Sequence, residues 1–262
     1  MVAKRGAESG IDFDTSITIA IASINTRRAT ELAIRSIVRT VGGRIPIWVG
    51  DCASTDGSLP MLERARRRGL IDRLDVRPDT SHGTWIDYWK REATSRWLLV
   101  ADSDVEPLRR GWLEGMIELA ESRGVGAVAA GVQDAGSYTQ ANGFAMRTLE
   151  RPMIYVFLID LVATEKVEVS FDFHLEQADD GEWDAWDTGA RFARALEDAG
   201  IGWTPMPQSI ADDVRHYGQL SWMQGERHLP KDADERRRVM WKRRRIEAFL
   251  AWRLWRYRLR LL

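Results

Sequence analysis

Two carboxylates one residue apart, Asp102 and Asp104, stand at the end of an unbroken apolar run, Trp97-Leu98-Leu99-Val100-Ala101, and are followed by Val105-Glu106-Pro107. Oxygens at that spacing can hold a hard divalent cation together with the phosphates it carries. The run reads as a strand buried on both faces of a parallel sheet, and the carboxyl end of such a strand is where open α/β sheets place their ligands. The alternative is a pair of acids capping a helix that starts near Leu108. The same triplet recurs at Asp12-Phe13-Asp14 and Asp232-Ala233-Asp234, where no buried strand precedes it, so the spacing alone does not decide.

The elements that must position these acids come in a regular alternation. Ser16 to Ser23 reads as a first buried strand, Ala29 to Val41 as a helix stopped by Gly42-Gly43, and Ile45 to Gly50 as a second strand. A helix over Met61 to Arg68, a short strand over Leu74 to Arg77 and a helix over Thr84 to Thr94 lead to the acid-tipped strand. Leu108 to Arg123 then reads as a long helix and Gly124 to Val132 as a further strand. Strand, helix and strand with short connections predict a parallel sheet with right-handed crossovers.

Three stretches of this frame lie in a telling order. The second strand runs into Asp51, with Ser54-Thr55-Asp56-Gly57-Ser58 behind it; Ser81-His82-Gly83-Thr84-Trp85-Ile86-Asp87 opens a helix; and Asp102-Ser103-Asp104 follows. Taken singly, Ser54 to Ser58 is an ordinary turn and helix cap. Together the stretches resemble the GT-A fold glycosyltransferases, especially the large family 2 group, over about Ser16 to Trp222.

The resemblance implies an α/β fold with a mostly parallel, Rossmann-like sheet flanked by helices, and a nucleotide-diphosphate sugar as donor with Mn²⁺ or Mg²⁺. It implies donor contacts at Ser23, Asn25, Asp51, Ser54, Asp87, Asp102 and Ser103, with Asp104 binding the cation directly and Asp102 near ribose and metal-bound water. His216, in Arg215-His216-Tyr217-Gly218, is similar to the family's late histidine, a third metal ligand; a mixed oxygen and nitrogen set suits Mn²⁺ better than the oxygen shell Mg²⁺ prefers.

From Gln133 onward the pattern loosens. Asn142 to Met146 is expected to be a strand under the sugar, and Met153 to Val162 with Lys166 to Phe173 to be further strand or helix surface. Gly181-Glu182-Trp183-Asp184-Ala185-Trp186-Asp187 enters a helix over Thr188 to Ala199. Inverting relatives place the base that deprotonates the acceptor hydroxyl here, because an alcohol attacking the anomeric carbon must lose its proton. Ala185 stands where many relatives carry that base, leaving Asp187, favoured for its place at a helix start, and Asp184. Asp187 as a plain helix cap is the competing reading. Inversion is the favoured outcome and retention the alternative.

Composition sets the outer bounds. A chain of 262 residues can bury a substantial core. Its one cysteine, Cys52, excludes an internal disulfide framework and fits a reducing, cytoplasmic compartment. Residues 1 to 15 read as a flexible leader without a secretory signal, 16–222 as the catalytic domain divided near 132 into nucleotide-binding and acceptor halves, and 223–262 as a helical tail. From Lys231 onward twelve basic residues face four acidic ones, so the tail carries +8 and the preceding residues −9.

In that tail Trp241, Ala248, Trp252, Trp255, Leu259 and Leu262 recur at helical spacing, with Arg253, Arg256 and Arg260 along another side. This suits a helix lying on an anionic membrane at the cytoplasmic face, or one packed on the domain or on a second subunit as a homodimer contact. Two rivals to the main reading remain. A sugar-phosphate nucleotidylyltransferase would carry a glycine-rich loop after the first strand, where Ser23-Ile24-Asn25-Thr26-Arg27-Arg28 has no glycine. In the other, the tail binds membrane or nucleic acid and the sheet is scaffold; under the favoured reading no nucleic-acid partner is expected.

Overall fold

The apolar runs of the first hundred residues become the centre of one sheet. The computed structural model describes residues 16–41, 43–139, 145–218, 220 and 232–258. Its elements begin β1 (Ile17–Ser23), α1 (Arg27–Thr40), β2 (Ile47–Asp51), α2 (Ser58–Arg67), β3 (Arg73–Val76), α3 (His82–Glu92) and β4 (Trp97–Asp102). They continue with β5 (Val105–Pro107), α4 (Trp112–Arg123), β6 (Ala127–Gln133), β7 (Gly136–Thr139), β8 (Ala145–Thr148), β9 (Arg151–Asp160), β10 (His174–Gln177) and β11 (Trp183–Trp186). The last are α5 (Ala190–Asp198), β12 (Trp203–Pro205), α6 (Gln208–Ala211), β13 (Val214–His216) and α7 (Ala233–Arg258).

Seven strands form the main sheet in the order β12-β6-β9-β4-β1-β2-β3. β1 pairs in parallel with both β2 and β4, so the chain first builds outward through β2 and β3 and then crosses back to the other side of β1. Crevices at such a reversal, outside the carboxyl ends of the strands, are the natural ligand sites of this architecture. β4 is buried from Trp97 to Ala101 as expected, and its second neighbour, β9, runs antiparallel to it. The sheet is mostly parallel, as the resemblance implies.

Alternation along the strands divides the core into two layers. Ile17, Ile19, Ile21, Leu99 and Ala101 face α1, α2 and α4, while Ala20, Leu98 and Val100 face Trp85, Trp89, Phe157, Phe171 and Phe192. Helices on both faces complete the α/β layering. A second sheet, β10-β11-β8-β7, and the two-stranded pair β13-β5 stand apart from the main one.

Several boundaries move for local reasons. α2 starts at Ser58 rather than Met61 because Asp56 accepts hydrogen bonds from the Ser58 backbone N–H and hydroxyl at 3.0 and 2.6 Å, and Pro60 is tolerated in a first turn whose N–H groups have no helical partner. α3 starts at His82 because Ser81 Oγ accepts from Thr84 N at 3.0 Å. The helix expected from Leu108 begins only at Trp112, since Val105–Pro107 is a strand; its N-cap is Gly111, without a side-chain cap, so the capping alternative for Asp102 and Asp104 falls.

Met153 to Val162 falls largely within strand β9, whereas Lys166 to Phe173 is neither strand nor helix but an irregular run that plugs Val167 and Phe171 into the core. Residues 142–144, the leader 1–15 with its Asp12 and Asp14, Ser221 and Trp222, and Leu259, Arg260 and Leu262 of the tail lie outside the described residues.

The tail helix packs on the domain through one face. Leu250 and Leu254 are buried with Ala29, Leu32 and Leu220. Arg253, expected among outward arginines, is instead buried and ion-paired to Glu106, a fully buried acid of β5. Arg28–Glu247 at 2.8 Å and Arg258–Glu31 at 3.5 Å add contacts along the same seam.

Candidate active site

Strand register brings the first half of the site together. Ala22 lies opposite Asp102 and Ser23 opposite Asp51, so three parallel strands finish along one line. A cleft of about 280 Å³ opens there, lined by Ser23, Cys52, His82, Trp85, Asp102, Ser103, Asp104 and His216 among others. Ser103 Oγ contacts Thr26 Oγ1 at 2.8 Å, and Thr26 and Ser23 each meet Thr30, so a hydroxyl chain ties the tip of β4 to the start of α1.

Asn25, Asp51 and Ser54 form a latch behind the cleft rather than its lining. The fully buried Asp51 accepts from Ser54 N at 2.7 Å and Ser54 Oγ at 2.8 Å. Ser54 Oγ in turn accepts from Asn25 N at 2.8 Å, and Asn25 Oδ1 accepts from Thr55 N at 2.8 Å. Burial drives the Asp51 carboxyl above its ordinary pKa, outweighing the hydrogen bonds from Ser54.

Asp87 sits elsewhere. Its carboxylate accepts from Ser170 Oγ at 2.6 Å and Phe171 N at 2.9 Å, away from the cleft. In exchange Asp172 accepts from Ser81 Oγ at 2.8 Å and Thr84 Oγ1 at 3.1 Å. This lashing pulls the irregular run against α3 so closely that a Cβ on Gly83 would lie 2.4 Å from the Asp172 Cα, which explains the glycine.

The β5–β13 pair brings in the remaining metal candidate. His216 lies opposite Val105 in that pair, and the Tyr217 N–H donates to the Asp104 carbonyl at 3.0 Å. His216 Nε2 is consequently 3.2 Å from Asp104 Oδ1 and 3.8 Å from Asp102 Oδ2. One ligand atom from each of Asp102, Asp104 and His216 fits within 4.8 Å of the others, and among the described residues this is the group of three or more such side chains able to share an ion. Tyr155 stacks on the His216 ring at 4.2 Å between centroids and fixes its plane.

Carboxylates and imidazoles crowd one another here. Desolvation raises the Asp102 pKa; His82 pulls it down, and the neighbouring Asp104 pushes it up again, with a net upward shift. Burial lowers the His216 pKa, but the hydrogen bond and charge of Asp104, joined by Asp102, reverse this and leave it raised. His82 Nε2 is buried without a hydrogen bond, 3.5 Å from Asp102 Oδ1. The two crowded carboxylates and the His216 imidazole are a donor set that suits a divalent cation.

A second cavity of about 660 Å³ shares His82, Asp102 and His216 with the first and continues past Arg151, Tyr155, Asp187, Thr188 and Lys242. Asp187 is held by Arg151 Nη2 at 2.5 Å and caps its own turn through Thr188 N at 2.8 Å. Asp184, the other base candidate, is drawn into an ion-pair cluster on the second sheet, 2.9 Å from Nε of Arg147, an arginine that also pairs with Glu182 through Nε and with Asp180 through Nη1. It lines neither cavity.

Sequence reasoning passed over His82, Arg151, Tyr155 and Glu106. His82 had a usable signal: it is one of only four histidines and sits in the glycine stretch already singled out. The others come from β9 and β5, whose placement depends on pairings distant in sequence.

The chain matches the family model described as glycosyl transferase family 2 over residues 18–174. No curated protein matches it. Among solved structures it is similar to the mannosyltransferase PcManGT from Pyrobaculum calidifontis, solved with GDP-Man and Mn²⁺, at 16% identity and a TM-score of 0.56, covering 75% of this chain and 56% of that one. It also matches S. aureus TarS residues 1–349, at 12% identity and a TM-score of 0.43, covering 60% and 50%. The chain thus spans about half the length of these structures. With the sheet order, the reversal beside β1 and a family match over well over half of its residues, the chain belongs to glycosyl transferase family 2 and has the GT-A fold.

Proposed function

We propose that this protein transfers a sugar from a nucleotide-diphosphate donor to a hydroxyl acceptor, with inversion at the anomeric carbon and dependence on a divalent cation, Mn²⁺ in preference to Mg²⁺. The observation that carries this reading is the convergence of Asp102, Asp104 and His216 in the cleft, with Asp102 and His216 on the wall that it shares with the larger cavity. A cation held by these three side chains would supply positive charge against which the nucleotide diphosphate can leave.

The protein's own groups do the rest. The cleft at the tips of β1 and β4 takes the nucleotide, with the Asn25–Asp51–Ser54 latch keeping its wall rigid. The larger cavity takes the acceptor. There Asp187 accepts the hydroxyl proton as the acceptor oxygen bonds to the anomeric carbon and the bond to the diphosphate oxygen breaks. Arg151 holds Asp187 in place, and Tyr155 holds His216. Retention is the second reading, favoured by the same Arg151 pair because it occupies one oxygen of the base; the anomeric configuration of the product, read by NMR, separates the two.

Asp104→Ala tests the reading. Loss of a charge-stabilising cation site worth several kcal/mol should lower transfer about 10³-fold. It should also abolish the Mn²⁺-dependent rise in melting temperature that GDP-, UDP- or TDP-sugars give the unaltered protein. Undiminished transfer by a folded Asp104→Ala protein would overturn it.

A further inference from the structure

α7 is 26 residues long, and only one of its faces is used by the domain. Opposite Leu250 and Leu254, Trp241, Trp252 and Trp255 are 61, 44 and 55% exposed. They are 11 and 14 residues apart, close to whole turns at 3.6 residues per turn, so they form a single outward stripe. Tryptophan is a highly buried residue on average, and three of them on one exposed stripe is not a solvated surface. Arginines sit directly beside the rings: Arg245 lies over Trp241 at 4.6 Å and Arg256 over Trp252 at 5.0 Å.

Charge selects the occupant. Beyond Glu235 the helix contains one acid, Glu247, which is already paired with Arg28, while the body of the chain is acidic. At the helix end Arg258 joins Arg27, Arg35, Arg64 and Arg68 around a cleft of about 330 Å³ in which Glu31 is the only acid among the described residues. Indole rings ringed by guanidinium groups are the composition of an interface between lipid headgroups and water. The exposed large apolar residues of the described part of this helix, Phe249 and the three tryptophans, are all aromatic, the class of side chain that settles at headgroup level. No described helix is long and apolar enough to cross a membrane, so α7 would lie in the plane of the surface.

We propose that the outward face of α7 docks the protein on an anionic bilayer, with Trp241, Trp252 and Trp255 at headgroup level and the flanking arginines on lipid phosphates. The test is co-sedimentation of the full chain with vesicles of phosphatidylcholine alone or mixed with phosphatidylglycerol. Binding should require phosphatidylglycerol, weaken as salt rises, and shift tryptophan emission to the blue. Arg244→Gln with Arg245→Gln should weaken partitioning about tenfold or more. Trp252→Ser with Trp255→Ser should remove most of it, with melting temperature and soluble transfer activity unchanged because these side chains point away from the domain.

Failure to bind phosphatidylglycerol vesicles, equal binding to neutral ones, or a concentration-dependent dimer lost in the Trp252→Ser, Trp255→Ser protein would overturn the proposal. None of these outcomes touches the cation site, so the two readings fail separately.

Discussion

The cleft proposed for the donor and the cavity proposed for the acceptor share one wall but are built in opposite ways. The donor cleft is made of strand ends: β1, β2 and β4 are adjacent, parallel and in register, and their tips carry Ser23, Asp51 and Asp102 as a direct result of sheet geometry. The acceptor cavity is assembled from Arg151, Asp187, His216 and Lys242, supplied by a long antiparallel strand, a helix entry, a three-residue strand and the tail. The first is fixed by a core that any change would damage. The second is fixed by individual ion pairs and stacked rings, so it can be altered one side chain at a time.

The sharpest way to break this contrast is Asp187→Asn. Loss of a general base should reduce transfer by about 10²- to 10⁴-fold while donor binding, followed by the Mn²⁺-dependent melting shift, stays intact. A parallel loss of donor binding would mean that the two cavities are one functional unit.

Arg253→Ala tests the seam between α7 and the domain behind the site. Removing one partner of a buried pair leaves the fully buried Glu106 uncompensated, apart from Tyr217 and Arg215, and should cost about 3 kcal/mol of folding stability. Because β5 also carries the strand that positions His216, cation affinity should fall with it, whereas a purely local effect would lower the melting temperature alone. The smallest effect belongs to Asp184→Asn. Its carboxylate serves the Arg147 cluster, so stability should change by less than about 1 kcal/mol and transfer should hold; a large drop in transfer would return the catalytic role to Asp184.

The same contrast explains what could be read in advance. Trp97 to Asp102 was legible because burial on both faces leaves a continuous apolar run, and Ser54 to Ser58 because a turn needs small polar residues. His216 was legible only through its resemblance to the family pattern. The partnership of Arg151 with Asp187 was not, since nothing in Arg151-Pro152-Met153 announces the start of a strand, paired there with Gly131 to Gln133 of β6. Val105–Pro107 was hidden by its proline and its length: three residues cannot display a period, and their strand character comes entirely from Val214–His216. The partners of Asp87 and Asp184 were not legible, because an acid tied to a neighbouring loop or an arginine looks the same in sequence as one that faces a ligand.

Glu106 stands two residues from Asp104 and grips a guanidinium near the far end of a helix some forty Å long at 1.5 Å per residue. That grip makes α7 a rigid boom rather than a floppy leash. Were the outward face of α7 to rest on a bilayer as proposed, the mouth between the two cavities would be held at a set height and tilt above it.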